Sequence, residues 1–316
     1  MSKSTPFFKD VTLEGKKENR RKILVIAGVH GNEQNAVLAA YRLYESFAKA
    51  TEDVYKNEND IRFILGVNKW GLLTNKREFG QRTDVYPDPI QKDKPIDFNR
   101  VFTKNHVDEL NEDAAAVRDF IQKAIEGADI VVDVHNSPAC TNMVLLNNDE
   151  YAASTIKFMN ECHMDTDYMV CESQTSTIKK YAIEQGKVGF TVELGGMTLG
   201  GLQDGTIILD QFAFLKTLMS WLDQFMPKFE KGALLPPAQL CMPIYAHAYG
   251  LIDKVNFHRC APLKKGEIFA TMITDSDNPD DAEFKAPCEG FLVACEDHRA
   301  VKPGDEIFYW QPAVNG

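Results

Sequence analysis

Apolar and polar positions alternate along this chain with two periods. Lys22 to Val29 (KILVIAGV) is a continuous aliphatic run, as expected of a strand buried on both faces. From Glu33 to Ala48 the apolar residues fall at Val37, Leu38, Tyr41, Tyr44 and Ala48, the spacing of one helix face. Ile61 to Val67 (IRFILGV) reads as a second strand. Val107 to Ile125 reads as a second amphipathic helix, with Leu110, Ala114, Val117, Ile121 and Ala124 on one side. Asp129 to Val134, Met143 to Leu146 and Lys187 to Leu194 read as further strands, and Leu209 to Phe225 as a last long helix. Strands alternating with helices in this way predict an α/β fold with a mostly parallel, covered sheet, in which sites gather at the carboxyl ends of the strands.

The texture changes near Gly232 and the Pro236–Pro237 pair, a linker signal. Beyond it come short strand-like runs and turn residues. Two segments resemble each other, "PLKKGEIFATM" (Pro262 to Met272) and "AVKPGDEIFYW" (Ala300 to Trp310). Each carries a glycine turn into a Glu-Ile-Phe strand, which predicts a small β domain with two similar arms. We therefore expect a catalytic domain over 1–232 and a C-terminal β domain over 233–316 that caps the entrance to the site. A carrier module is disfavoured, because "CEDHRA" offers no lysine at the intervening turn.

Composition narrows the function. With 316 residues, 44% hydrophobic and 26% charged, the chain has the make-up of a globular protein with a sizeable core. The formal net charge of −11 argues against a broad nucleic-acid or anionic-membrane surface. No apolar run approaches the length of a membrane span, and MSKSTPFFKD lacks the apolar middle of a signal peptide. Seven scattered cysteines without a C-x-x-C pair predict reduced thiols and a cytoplasmic protein.

The strand ends carry the chemistry. In "VIAGVHGNE" an apolar strand stops at Gly28, and His30 and Glu33 follow on one side of the turn. The pair alone is weak evidence, since it recurs by chance on ordinary solvated turns. His135, leaving the strand in "VVDVHNS", reaches the same sheet edge; alone it is a satisfied core histidine. Two histidines and a carboxylate make the usual open catalytic zinc site. Asp133 shares the face of His135 and is placed to orient a ligand histidine. Glu193, in "GFTVELGG", is either a turn cap or a general base. Asn99 and Arg100, in "PIDFNRVF", are either a surface ion pair or a fork for a carboxylate.

Taken together and in order, "GVHGNE", "DFNR", "DVHNS" and "VELGG" resemble the succinylglutamate desuccinylase/aspartoacylase family of zinc carboxypeptidase-like hydrolases, over residues 20 to 225. The tail looks like that family's C-terminal β domain. The resemblance implies a three-layer αβα sandwich with a mixed, largely parallel sheet of the eight-stranded type. It implies one Zn2+ per chain held by His30, Glu33 and His135, with Glu193 as base and proton shuttle. Asn99 and Arg100 resemble the pair that holds a substrate carboxylate, and Asn136 is as in aspartoacylases. Arg77, nine residues beyond Asn68, matches the oxyanion arginine, with Arg82 as the alternative. The implied reaction is hydrolysis of the amide of a small N-acyl amino acid. The acyl group and the amino acid are left open, since only Lys179 and Lys180 stand where an aspartoacylase has its side-chain-binding arginine. Glu289 or Phe291 stands near the place of the family's substrate tyrosine. Relatives often associate, so a homo-oligomer is left open too. A zinc carboxypeptidase and a non-catalytic metal-binding protein are the competing readings.

Overall fold

The structure is a computed structural model that describes residues 7–50, 56–79, 96–102, 110, 112–137, 142–161, 168–171, 176–195, 205–225, 229–255, 262–274, 276–295 and 300–313. Its elements in chain order are β1 (Lys9–Leu13), β2 (Lys22–Ala27), α1 (Gln34–Ala48), β3 (Asp60–Leu65), α2 (Lys69–Thr74), α3 (Glu112–Glu126), β4 (Ile130–Asn136) and β5 (Met143–Asn147). There follow α4 (Ala152–Glu161), β6 (Tyr168–Cys171), α5 (Ile178–Glu184), β7 (Val188–Leu194) and α6 (Gly205–Phe225). The C-terminal strands are β8 (Met242–Tyr245), β9 (Gly250–Val255), β10 (Ile268–Thr274), β11 (Glu283–Lys285), β12 (Gly290–Cys295), β13 (Ala300–Val301) and β14 (Glu306–Pro312). Of the helix expected over 107–125, the part before residue 110 lies outside the described residues.

The fold is mixed α/β, with one sheet of seven strands in the order β1-β3-β2-β4-β7-β5-β6 and two smaller sheets. Seven strands among the described residues replace the eight expected. The strands β3, β2, β4 and β7 run parallel, while β1 joins β3 antiparallel. Chain segments cluster into two compact units, Met1–Asn136 with Gln174–Lys228 and Ser137–Ser173 with Phe229–Gly316.

In the first unit, β2 and β4 are buried almost throughout, which is why aliphatic residues dominate both. Leu24, Ile26 and Val131 pack with Ala114, Val117, Ile121 and Ile125 of α3 and with Phe98 and Phe102. The helix α1 packs on β2, β3, β4 and α6. Asp223 of α6 accepts the amides of Glu58 and Asn59, at 2.7 and 2.8 Å, and so ties the helix to the entry of β3.

In the second unit the order β11-β10-β9-β13 forms one antiparallel sheet and β12-β14-β8 another. The two similar arms adopt one turn. Glu267 N–H donates to Lys264 O at 3.1 Å and Asp305 N–H to Lys302 O at 3.0 Å. In each case the acid's carboxylate takes the lysine's amide in return, at 2.9 and 3.0 Å. Gly266 and Gly304 supply the left-handed residue, with φ of 87° and 89°. This turn aligns Glu267 with Asp305, so the two Glu-Ile-Phe strings stand one residue out of step. The strands that follow share a burial pattern, with Phe269 and Ile307, then Ala270 and Phe308, then Met272 and Trp310 turned inward.

Among the described residues, no helix is long and apolar enough to cross a membrane.

Candidate metal centre

The site is assembled at the carboxyl ends of β2, β3, β4 and β7, all in the first unit. After β2 the chain turns at Gly28, whose φ of 80° suits glycine. Val29 is buried, and His30 and Glu33 follow on the turn, both buried. Gly31 must be small, since a Cβ there would overlap the Gly71 backbone and the Lys76 carbonyl. At the end of β4, His135 and Asn136 stand in register with Glu193 and Leu194 of β7. Because paired residues of parallel strands share a face, the sheet itself sets Glu193 beside His135.

His30, Glu33 and His135 each offer one ligand atom, and these atoms lie within 4.8 Å of one another. The two Nδ1 atoms are 3.2 Å apart. That is close to the edge of about 3.3 Å expected between two nitrogens on a tetrahedral zinc. Glu33 Oε1 stands 2.7 Å from His30 Nδ1, and Oε2 stands 2.8 Å from His135 Nδ1. The opposite ring nitrogens each meet a second carboxylate. His30 Nε2 lies 3.0 Å from Asp97 Oδ1, and His135 Nε2 lies 2.9 Å from Asp133 Oδ2. An ionised carboxylate can only accept, so it fixes the ring proton on Nε2 and turns the Nδ1 lone pairs to the centre. Asp133 Oδ1 is buried with no hydrogen-bond partner.

The electrostatics call for added positive charge. Burial pulls the His135 imidazole down, but Asp133 and Glu33 outweigh it and hold it well above its ordinary value. His30 is likewise raised, burial being outweighed by Glu33 and Asp97. Burial raises the Glu33 and Asp97 carboxyls, yet Glu33 is held below the usual carboxylate range by His135 and His30, and Asp97 by His30 and Arg77. Glu193, half-buried, is raised chiefly by burial, with Glu33 and Asp133 adding to it against the two histidines. Four carboxylates thus surround two imidazoles, uncharged as ligands, with the guanidiniums of Arg77 and Arg100 beside Asp97. The donor set, the nitrogen spacing and this excess of negative charge fit a divalent cation.

The other predicted residues fall around this centre. Arg77 donates from one guanidinium nitrogen to Glu33 Oε1 at 3.2 Å and from another to Asp97 Oδ2 at 3.3 Å. Asn68 holds its segment: Oδ1 caps α2 through Gly71 N, and Nδ2 donates to the Glu78 carbonyl at 2.7 Å and the Arg77 carbonyl at 3.4 Å. Arg82 lies outside the described residues. Asn99 is buried; its Oδ1 accepts Ile178 N–H at 3.0 Å, and its Nδ2 lies 3.2 Å from His135 Nε2. Arg100 is exposed, with one bond to the Asn99 carbonyl. Asn136 accepts the Ala36 amide and donates to the Leu194 carbonyl at 3.2 Å. It therefore caps α1 from a neighbouring strand, where Glu33 at the N-cap makes no side-chain cap of its own. Lys179 is fully buried in α5 and Lys180 is half-buried. Asp97 is the residue that sequence reasoning passed over; its only signal was its place at the head of the "DFNR" motif.

Fold and site together give a His-Glu-His candidate metal centre on a mixed sheet. Residues 19–219 match the succinylglutamate desuccinylase/aspartoacylase catalytic domain, and the chain belongs to this family. Solved structures with similar folds include a succinylglutamate desuccinylase from Silicibacter sp. TM1040, at 16% identity and a TM-score of 0.61, covering 96% of this chain and 88% of that one. A succinylglutamate desuccinylase/aspartoacylase from Rhodobacter sphaeroides is similar at 16% identity and a TM-score of 0.63, covering 96% and 89%. The product-bound ectoine utilization protein EutE (DoeB) from Ruegeria pomeroyi is similar at 16% identity and a TM-score of 0.61, covering 96% and 88%. No curated protein matches the sequence.

Proposed function

We propose that this protein is a zinc-dependent amidohydrolase that cleaves small N-acyl amino acids to a carboxylate and a free amino acid. The observation that carries the reading is the register of Glu193 on His135, which sets a carboxylate with a raised pKa beside a His-Glu-His centre. His30 and His135 through Nδ1, and Glu33 through a carboxylate oxygen, would hold the ion. A bound zinc supplies Lewis acidity to the scissile carbonyl and acidifies the attacking water.

The chain's own groups do the rest. Glu193 accepts a proton from the attacking water and returns it to the leaving amine, a task suited to a carboxylate whose pKa lies above the ordinary value. Arg77, anchored on Glu33 and Asp97, faces the negative charge that develops on the carbonyl oxygen. The exposed guanidinium of Arg100 forks a substrate carboxylate. Asn99, whose amide is engaged with Ile178 and beside His135, fixes the backbone that presents Arg100.

The test is a hydrolysis screen with zinc-loaded protein, varying acyl group and amino acid independently, with dipeptides as the comparison. Turnover of N-acyl amino acids that is lost on chelation and regained with zinc supports the reading. Turnover of dipeptides alone, or turnover indifferent to metal removal, overturns it.

A further inference from the structure

We propose that Cys171 and Cys241, both in the second unit, form a redox-modification site. A peroxide-class oxidant converts this dithiol to a reversible disulfide. The proposal does not depend on the hydrolase reading.

The backbone brings the two residues together. Cys171 ends β6, and Cys241 immediately precedes β8. The Cys241 N–H donates to the Val170 carbonyl at 2.7 Å, the spacing of neighbouring strands. Adjacent strands stand about 4.7–4.9 Å apart, inside the Cα separations of about 4.4–6.8 Å that a disulfide spans. Asn148 N–H, donating to the Cys171 carbonyl at 2.9 Å, holds that strand end from the other side. The side chains meet as well: the Cys241 thiol hydrogen-bonds the Cys171 sulfur. Bond formation therefore asks for rotation of two thiols, not for movement of the backbone.

The surroundings suit a reversible switch more than a buried structural pair. Both cysteines are half-buried thiols outside any disulfide, beside Met143, Leu145, Met169 and Phe291. A small oxidant can reach them, while the apolar packing keeps their geometry. Cys288, a further cysteine outside any disulfide, packs in a different cluster, with Phe269 and Trp310.

The hydrogen bond assigns the roles. As donor, Cys241 is held protonated, pushed far above its ordinary value by that bond and by burial. With Cys241 held protonated, Cys171 is the sulfur that reacts as thiolate in the proposed route. That thiolate attacks hydrogen peroxide; the S–O bond forms, the O–O bond breaks, and one water leaves with the thiol's proton. The sulfenic acid on Cys171 is then attacked by the Cys241 sulfur, which gives up its proton. The S–S bond forms, the S–O bond breaks, and a second water leaves. In sum, two thiols and one peroxide give one disulfide and two waters, with the sulfurs oxidised and the peroxide oxygens reduced.

The experiment uses the full chain. Protein treated with hydrogen peroxide is alkylated, digested without reductant and read by mass spectrometry. The expected result is a linked peptide pair joining Cys171 to Cys241, which vanishes after dithiothreitol. The midpoint of urea unfolding should rise on oxidation and return on reduction, since a cross-link between distant positions restricts the unfolded chain. In Cys241→Ser, Cys171 should stop at the sulfenic acid and take up dimedone; in Cys171→Ser, Cys241 should not. The proposal is overturned if both thiols are still alkylated at peroxide levels that already oxidise the methionines. It is equally overturned if Cys171 links to a different cysteine. The wild-type measurement needs no variant, so a serine substitution that unfolds the protein leaves the test intact.

Discussion

Asp97 Oδ1 lies 3.0 Å from His30 Nε2. The other oxygen of the same carboxylate accepts from Arg77 at 3.3 Å, so one side chain aligns a metal-ligand candidate and the arginine proposed to face the substrate carbonyl. Its own position is set by the amide of Asn99, which donates to Oδ1 at 3.0 Å.

Asp97→Asn keeps this shape but removes the charge. We expect zinc affinity to fall by about 10–100-fold, the usual effect of losing a carboxylate behind a ligand histidine. Competition against a calibrated chelator measures it. Unchanged affinity would mean that Glu33 alone orients the ring.

Glu193→Gln should retain zinc and substrate affinity while kcat falls by about 10²–10⁴-fold, the share of general acid–base catalysis. Metal stoichiometry and turnover are to be read on one sample. Full metal with near-normal turnover would place the base elsewhere.

Arg100→Ala should lower kcat/KM by about 2–4 kcal/mol on an N-acyl amino acid, through loss of a charge-assisted pair. The same variant should lose little on the matching amide, where the substrate carboxylate is gone. Equal losses on both would contradict the fork.

Gly31→Ala should destabilise the protein by about 1–3 kcal/mol, because the new methyl meets the Gly71 backbone and the Lys76 carbonyl rather than a yielding side chain. The urea midpoint reads this directly. Zinc binding should weaken in parallel, since Gly31 N–H holds the Arg77 carbonyl at 3.2 Å.

What was legible in the sequence follows from how local the cause is. The strands β2, β4 and β7 announced themselves because their largely buried positions favour short runs rich in aliphatic residues. The edge strand β1 did not: KDVTL is half-exposed along its length and pairs antiparallel with β3. The helix α2 spans only six residues and α5 only seven, too short for a periodic signal. Ligand candidates were legible because each sits at the end of such a run. The partnership of Asp97 with His30 was not, since it joins positions 67 residues apart through a loop. Asn136 shows the same limit. Its place beside His135 could be read, but the capping of α1 by its side chain depends on the packing of helix against strand.

The second unit is drawn from two stretches that leave the ribosome far apart. Met143, Leu145 and Met169 share their apolar cluster with Val293, Phe291 and Tyr309 near the C-terminus. Gln311 reaches back to accept the Val170 amide at 2.8 Å. During synthesis, β5 and β6 therefore wait with uncovered apolar faces until β12 and β14 have emerged. A nascent chain stalled before β12 would carry that surface exposed, a substrate for holding chaperones. Emergence of β12 and β14 is what covers those faces.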